Sequence, residues 1–195
     1  IDSFNNVYFT GHLQGTIDVD PGPATFTVFV GGQFLEKIDA SGNFVWFNST
    51  PSGWGGHAIA IDGSNNVYWA GDLFGTFDFD PGPGVFNLTS AGMNDIVVCK
   101  VSGTGSFIWA QKVGSPSNEL AKSIALDLSG NTYVTGIISP YTFGDALIAK
   151  IDGTGNFIWA KQIGGVNSDG VNGIVIDAAN NIYATGYFNS NVDFD

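Results

Sequence analysis

LDLSGNTYVTGIISPYTFGDALIAKIDGTGNFIWAKQIGG, which spans residues 126–165, is the stretch that decides the fold. It contains four short apolar runs in two pairs, and the members of each pair are separated by a turn rich in Asp, Gly and Asn. The turns are Asp127–Asn131 and Asp152–Asn156. Apolar runs joined by such turns predict β-hairpins. Two consecutive hairpins therefore predict a four-stranded antiparallel sheet.

The same pattern recurs along the whole chain. Four copies of one strand are marked by a tyrosine, at intervals of 60, 65 and 50 residues. The copies are NNVYFTG at 5–11, NNVYWAG at 65–71, NTYVTG at 131–136 and NNIYATG at 180–186. A second series places Trp46, Trp109 and Trp159 after the second turn of successive units. Both series keep the same order, which indicates repeats of the length typical of propeller blades.

The repeats predict an all-β fold of β-propeller blades, each with four antiparallel strands. About three and a quarter units are present: an incomplete repeat at 1–57, repeats at 58–121 and 122–172, and an incomplete repeat at 173–195. Known propellers close with at least four blades, and each blade needs neighbours to cover its faces. We therefore expect a partial propeller, whose ring is closed by the remaining blades of a longer parent chain or by another chain.

The distribution of side-chain sizes predicts how each blade is oriented. Small residues alternate with Ile or Leu in the strands at 58–62, 123–127 and 173–177, which suits the strand nearest a crowded axis. The strands that carry Trp46, Trp109 and Trp159 are then outermost, and their indoles cover the interfaces between blades. Stacking on a sugar is the alternative role for these tryptophans.

Charge and composition exclude several classes of function. The net charge is −12, and all six basic residues are lysines. Nucleic-acid binding is disfavoured because guanine and phosphate recognition relies on arginine and because the chain repels polyanions. No apolar run approaches the ~18 residues of a membrane helix, so we expect no membrane span. Cys99 is the single cysteine, and its position in the run IVVCKV favours a core residue over a nucleophile.

Most aspartates are predicted to hold turns. The residues that open turns are Asp2, Asp62, Asp127 and Asp177 in the first turn of each unit, with Asp39, Ser102 and Asp152 in the second. A side-chain oxygen at this position accepts a hydrogen bond from the backbone amide two residues on. Asp72 and Asp169 follow no pattern in the sequence.

Two units contain an acidic insertion that the third lacks. It reads GTIDVDPGPATF at 15–26 and GTFDFDPGPGVF at 75–86. In an extended strand the two aspartates of each copy point to one face and the apolar residues to the other. The Asp-Pro-Gly that follows has Pro and Gly where a type II turn requires them.

The paired carboxylates suggest a metal site, with a solvated acidic edge as the alternative. Asp18 with Asp20, and Asp78 with Asp80, would each contribute two oxygen ligands to Ca²⁺. Calcium takes six to eight oxygens, so backbone carbonyls and water would complete the shell. In the alternative the charges only discourage pairing between sheet edges.

The succession NNVYWAG, GTFDFDPGPG and NDIVVCKVSGTGSFIWAQKVG resembles the secreted bacterial β-propeller repeat family, the SBBP type. The resemblance covers essentially the whole chain. It implies a propeller in an extracellular setting, secreted or on a bacterial cell surface, and it carries over no catalytic residues. Two departures are the missing insertion in the third unit and Gln33, which stands where the other units have Asp95 or Asp145.

These observations favour a non-catalytic binding, adhesion or scaffold module of a larger exported protein, with a protein or glycan partner. Trp54 and Tyr141 lie in the most divergent loops and are candidate contact residues, with ordinary loop packing as the alternative. A glycan-active hydrolase or lyase is the competing hypothesis, because paired aspartates can act as general acid and base. His12 and His57 have no counterpart in the other units and no metal-ligand spacing.

Overall fold

A computed structural model describes residues 1–50, 55–139 and 144–189, which form strands, turns and loops. The predicted all-β fold is confirmed. The strands are β1 (Val7–Asp18), β2 (Thr27–Ile38), β3 (Phe44–Thr50), β4 (Gly56–Ile61), β5 (Val67–Leu73), β6 (Thr76–Asp78), β7 (Asn87–Thr89), β8 (Asp95–Val101), β9 (Phe107–Val113), β10 (Asn118–Leu126), β11 (Thr132–Ser139), β12 (Asp145–Ile151), β13 (Phe157–Ile163), β14 (Gly170–Ile176) and β15 (Ile182–Tyr187).

The strands assemble into successive antiparallel sheets of the predicted kind. Blade 2 has the order β4-β5-β8-β9, and blade 3 has the order β10-β11-β12-β13. Blade 1 contains three strands, β1-β2-β3, and blade 4 contains the pair β14-β15. The small hairpin β6-β7 is the acidic insertion of blade 2, whereas in blade 1 the corresponding residues extend β1 and β2. The described residues form a partial propeller, because these sheets do not close a ring.

The predicted hairpin turns are present, and their sequences follow from their backbone geometry. In the first turn of blade 3 the Asp127 amide donates to the Asn131 carbonyl at 3.0 Å, and the Gly130 amide donates to the Asp127 carbonyl at 3.0 Å. Gly130 has φ of 78°, and Asn65 at the same place in blade 2 has φ of 62°. Only Gly, Asn and Asp enter this left-handed region at low cost, which explains the turn composition.

The first strand of each complete blade is interrupted by a β-bulge. The register shifts lie between Gly56 and Ala58 in β4 and between Ala121 and Ser123 in β10. The strand continues on the N-terminal side of each bulge, so the sheets start a few residues before the units defined from the sequence. A bulge breaks the period of two on which a strand pattern depends, which is why the sequence showed only the regular part.

The sheets pack face to face in chain order, with the small-residue strands on the inside. Strand β10 contacts both β4 and β14, as predicted for strands near the axis. Trp46, Trp109 and Trp159 lie on the strands at the opposite edge. Trp46 of blade 1 donates its indole N–H to the Gly103 carbonyl of blade 2 at 3.2 Å. The predicted interfacial packing of Trp46 is therefore confirmed, as is that of Trp109, which lies against Gly155 of blade 3.

Cys99 belongs to the core between blades 1 and 2. Its side chain is 1% exposed and packs in the same cluster as Leu35, Trp69 and Phe79. Burial raises the pKa of the Cys99 thiol far above its ordinary value. The structure thus confirms the predicted core role.

The strand register corrects one sequence correspondence. A lysine paired with the tryptophan of the next strand is common to β2 and β8. Counting back four residues from this lysine reaches Gln33 in β2 and Ile96 in β8. Gln33 therefore occupies the position of Ile96, and its predicted correspondence with Asp95 and Asp145 is wrong by one residue. A shift of one residue moves a side chain to the other face of a strand, so sequence similarity alone could not fix it.

Candidate functional site

The aspartates of the first turns each organise a small hydrogen-bonded cluster. In blade 3, Asp127 Oδ1 accepts bonds from the amides of Ser129 and Asn131, both at 2.9 Å. Asp127 Oδ2 accepts bonds from Asn131 Nδ2 at 2.7 Å and from the Tyr133 hydroxyl at 3.3 Å. The predicted turn role is confirmed. The bond to tyrosine was missed, although the constant spacing of six residues between Asp and Tyr was visible in the sequence.

A lysine completes each cluster in the first three blades. Lys100 Nζ lies 4.6 Å from the centre of the Tyr68 ring and 3.6 Å from Asp62 Oδ2. Lys37 and Lys150 lie over the equivalent tyrosines at 5.0 and 4.9 Å. Half of the lysines of this acidic chain are therefore held over tyrosine rings inside the blades.

Hydrogen bonding keeps these turn carboxylates ionised. Burial by itself would raise the pKa of Asp62, but the bonds from Asn66 and Ser64 outweigh this effect and hold the pKa below its ordinary value. The pKa of Asp127 is lowered in the same way, against the opposing effect of burial. A carboxylate that is ionised and surrounded by donors stabilises a turn, and it is poorly suited to act as a general acid.

Asp72 has a role that the sequence did not reveal. Its side chain is 2% exposed, Oδ1 accepts a bond from the Ala121 amide of blade 3 at 2.9 Å, and Oδ2 lies 2.8 Å from His57 Nε2. Its backbone carbonyl accepts a bond from the Gln33 amide group of blade 1. Asp72 therefore joins three blades. The register shift of β10 lies directly after Ala121, and no sequence signal showed this contact between blades.

Asp169 is explained by a similar contact. It is fully buried, and its two carboxylate oxygens accept bonds from the amides of Gly165 at 2.7 Å and Asn189 at 2.9 Å. Glu119 precedes the bulge of β10 as Asp169 precedes that of β14, and its carboxylate binds the amide and hydroxyl of Ser115. Both acids fix the loop that enters the first strand of a blade.

The acidic insertions form two matching loops on neighbouring blades. In blade 2, Asp78 Oδ1 accepts bonds from the amides of Asp80 at 3.0 Å and Phe86 at 2.7 Å, and Asp80 Oδ1 accepts one from Gly82 at 2.8 Å. Asp18 and Asp20 make the same bonds in blade 1. As predicted, the apolar residue between the two aspartates is buried on the other side, with Phe79 1% exposed.

The predicted type II turn in these loops is wrong. Such a turn requires a positive φ at Gly22 and Gly82, and neither glycine has one. The glycine amide is bound by the preceding aspartate side chain instead, which holds the chain in a different turn.

The calcium prediction at Asp18, Asp20, Asp78 and Asp80 stays a prediction. In each pair the Oδ1 atoms are occupied by backbone amides, which leaves the Oδ2 atoms as the available ligands. Among the described residues, no three His, Cys, Asp or Glu side chains are placed to hold a metal ion together.

The candidate contact residues Trp54 and Tyr141 lie outside the described residues. The insertion loops expose apolar side chains, with Phe26 47% and Val85 74% exposed. Phe26 stacks on Phe44 with ring centres 4.7 Å apart, and Phe86 contacts Phe107 at 5.0 Å. The two loops are therefore anchored on their own blades.

Within the described ranges, no helix is long and apolar enough to cross a membrane.

Comparison with known proteins agrees with this architecture. A family model described as SBBP, beta-propeller repeat, matches residues 158–195. An uncharacterized WD repeat-containing protein, L264, of Acanthamoeba polyphaga mimivirus is 32% identical over 95 residues, which cover 42% of this chain and 7% of that protein. The chain thus spans less than a tenth of the length of this relative.

The blades before the matched segment have the same local structure. The matched segment contains the same tyrosine strand and Asp–Tyr pair as the blades before it. The resemblance noted in the sequence is confirmed over residues 158–195, which match the SBBP beta-propeller repeat.

Proposed function

We propose that this chain is a non-catalytic binding segment of a larger exported or cell-surface protein, and that its two insertion loops contact a protein or glycan partner. The observation that carries the proposal is the pair of exposed apolar loops at equivalent positions of neighbouring blades. Residues 21–27 and 81–87 are exposed throughout. Large exposed apolar patches rimmed by polar residues mark interaction sites on soluble proteins.

The rigidity of the loops supports a binding role. Each loop is closed by a backbone bond between strands, from Val19 to Phe26 and from Phe79 to Phe86, both at 3.0 Å. The aspartate side chains hold the interior of each loop, and the aromatic stack holds its end. A surface that is already ordered loses less conformational entropy when a partner binds.

The acidity of the chain agrees with an exposed location. A net charge of −12 without arginine favours solubility and disfavours non-specific adhesion to anionic surfaces. The resemblance to secreted bacterial repeats supports the same extracellular setting.

The test compares substitutions of exposed apolar residues at the two loops with a substitution of an exposed apolar residue elsewhere in the chain. The 195-residue chain is assayed by surface plasmon resonance on immobilised bacterial polysaccharides, host glycans and matrix proteins. Phe29, next to the first loop, and Val85 are 82% and 74% exposed. We expect the double variant Phe29→Ser/Val85→Ser to bind at least tenfold more weakly to any of these molecules that the parent chain binds.

Val166→Ser is the matched control, because Val166 is 82% exposed but lies between blades 3 and 4. It should bind as the parent chain does. Equal losses in both variants, or release of reducing ends from a polysaccharide probe, would contradict the proposal; the second result would favour the glycan-active enzyme.

A further inference from the structure

A glutamate in blade 1 occupies a place that is small and apolar in the other blades. The lysine that pairs with the tryptophan of the next strand marks this place in β2, β8 and β12. The residue before that lysine is Glu36 in blade 1, Cys99 in blade 2 and Ala149 in blade 3. All three are buried, and Glu36 is 4% exposed. Blade 1 therefore buries a carboxyl group where its neighbours bury a thiol and a methyl group.

The Glu36 carboxyl group has no favourable partner in the described part of the chain. It accepts no hydrogen bond there, and the charge that acts on it is the carboxylate of Asp20, which repels it. Burial, followed by this charge, raises the pKa of Glu36 to about 7. The turn aspartate Asp62 is also partly buried, but its donors hold its pKa low. A buried carboxylate without a partner costs free energy, which an incoming cation would recover.

A pocket of about 260 Å³ opens at Glu36 on this face of blade 1. Its walls are mostly apolar and include Phe9, Leu13, Ile17 and Phe34. Phe9 pairs directly with Glu36 across the two strands, so both side chains lie on the face that holds the pocket. The volume is below that of sites for drug-sized ligands, and it suits a single side chain.

The corresponding place in blade 2 is filled. Trp69 and Phe79, which follow Phe9 and Val19 by 60 residues, line a cavity of only about 20 Å³ together with Cys99 and residues of blade 1. Such a cavity has room for about one water molecule. Trp69 is 5% exposed, whereas Phe9 is 38% exposed. The two faces hold the same place in their repeats, but the open pocket and the carboxyl group occur together in blade 1.

The lining of the pocket selects for a cation that is carried on an apolar chain. Asp18 and Asp20 line it together with Glu36, and no basic residue of the described chain does, so an anion is repelled. Within the described ranges, no three acidic side chains are placed to hold a metal ion together. An organic ammonium group fits better, because aromatic rings such as those of Phe9 and Phe34 attract it. Their ring centres lie 5.9 Å apart.

We propose that this pocket binds a lysine side chain of a protein partner. The ammonium group pairs with the Glu36 carboxylate, and the methylene chain packs against Leu13 and Ile17. Asp18 and Asp20 belong both to the pocket and to the first insertion loop, so a partner that contacts the loop can place a lysine here. The inference rests on the proposed binding function and names the group that the partner presents.

The experiment titrates the 15N-labelled 195-residue chain at pH 8 with Nα-acetyl-lysine methylamide and follows the backbone amide signals by NMR. We expect saturable shifts at Leu13, Ile17 and Glu36. Nα-acetyl-norleucine methylamide has the same alkyl chain without the ammonium group, and it should bind at least tenfold more weakly. n-Butylammonium, which has the ammonium group without the peptide groups, should bind no more tightly than the lysine compound.

Three variants separate the carboxylate from the shape of the pocket. Glu36→Gln removes the charge and keeps the shape, and it should raise the dissociation constant of the lysine compound at least tenfold. Glu119→Gln is the matched control, because Glu119 is the other glutamate of the chain and is 1% exposed, but lies in blade 3. It should bind as the parent chain does. Val19→Phe introduces the residue that blade 2 has at this place and should weaken the lysine compound at least fivefold by filling the pocket.

The proposal is overturned if the lysine compound shifts none of the pocket signals, if the norleucine compound binds as well, or if the two glutamine variants lose binding equally. Tighter binding of n-butylammonium by tenfold or more would also overturn it and would indicate a free amine as the ligand. Partner binding that survives in Phe29→Ser/Val85→Ser with the lysine response intact would locate a failure in the proposed role of the loops. A missing lysine response with loop-dependent partner binding would locate it in this pocket.

Discussion

Strands β5 and β15 are two copies of the repeated tyrosine strand and have opposite surroundings. All residues of β5 are buried between blades 1 and 3, whereas all residues of β15 are exposed. Tyr68 is 0% exposed and Tyr183 is 56% exposed. Yet their hydroxyls donate to the turn aspartates Asp62 and Asp177 at 3.2 and 3.1 Å.

The difference separates two kinds of interaction. The turn and its Asp–Tyr pair are made within a few residues of sequence, so each repeat forms them whether or not another blade covers it. Burial of the strand needs a neighbouring blade, as in other repeat proteins whose stability is a sum of local and interface contributions. A repeat therefore specifies its own shape, and its neighbours supply most of its stability.

The largest effect is expected from removing the two tyrosines in turn. Tyr68→Ala leaves a cavity in a closely packed core and should destabilise the chain by about 3–5 kcal/mol. Tyr183→Ala removes the same local bond from an exposed strand and should cost under about 1 kcal/mol. Urea unfolding followed by tryptophan fluorescence measures both changes.

Tyr68→Phe and Tyr183→Phe are the controls, because each deletes only the hydroxyl. Similar, small losses are expected for these two variants. Equal losses for the two alanine variants would show that the neighbouring blade adds little, and the distinction drawn above would be wrong.

The sequence predicted what is local and missed what depends on neighbours. Asp127 and its turn could be predicted because their partners lie within six residues. Asp72 could not, because its partners are His57, Ala121 and Gln33 on three different blades.

The second prediction concerns Glu36 of blade 1, which lies at the position that Cys99 has in blade 2. Glu36 is 4% exposed, and burial, followed by the charge of Asp20, raises its pKa from 4.5 to about 7. A carboxyl with a raised folded-state pKa contributes stability that is complete below about pH 4.5. This stability is lost as the pH rises through about 7. Ionisation of Glu36 should therefore lower the stability of the chain as the pH rises from about 4.5 to about 7.

Glu36→Gln cannot ionise and should flatten this decline, which leaves the variant about 1–2 kcal/mol more stable than the parent chain at pH 8. Urea unfolding at several pH values gives the comparison, and His12 and His57 are common to both proteins. If the free energy of unfolding depended on pH in the same way in both proteins, the Glu36 carboxylate would be hydrated in the folded chain and the prediction would be wrong.

The third prediction asks whether the insertion loops bind calcium locally. If Asp18 with Asp20 and Asp78 with Asp80 hold Ca²⁺, each loop should bind independently, with affinities of about 10⁻⁴–10⁻³ M as in extracellular modules. Calcium at 10 mM would then stabilise the chain by about 1–3 kcal/mol for each site. Titration calorimetry should show two equivalents, and Asp20→Asn/Asp80→Asn should abolish them.

Magnesium at the same concentration is the control for ionic strength. Absence of calorimetric heat, together with a melting temperature indifferent to chelator, would identify the loops as a solvated acidic edge.

The smallest effect is expected at an exposed turn, where the local contribution can be measured by itself. Asp152 Oδ1 accepts bonds from the amides of Thr154 and Asn156, and the matching turn of blade 2 achieves this with Ser102 Oγ. Asp152→Ser should therefore change the melting temperature by less than about 1 °C, whereas Asp152→Ala, which leaves no acceptor, should lower it by about 2–3 °C. Differential scanning fluorimetry at pH 7 resolves these changes.

Asp127→Ser, in the first turn of blade 3, should lower the melting temperature more than Asp152→Ser does, because the shorter side chain cannot also reach Tyr133. Equal costs at the two turns would show that the local bonds contribute the same wherever they lie, and that only apolar burial depends on the neighbouring blade.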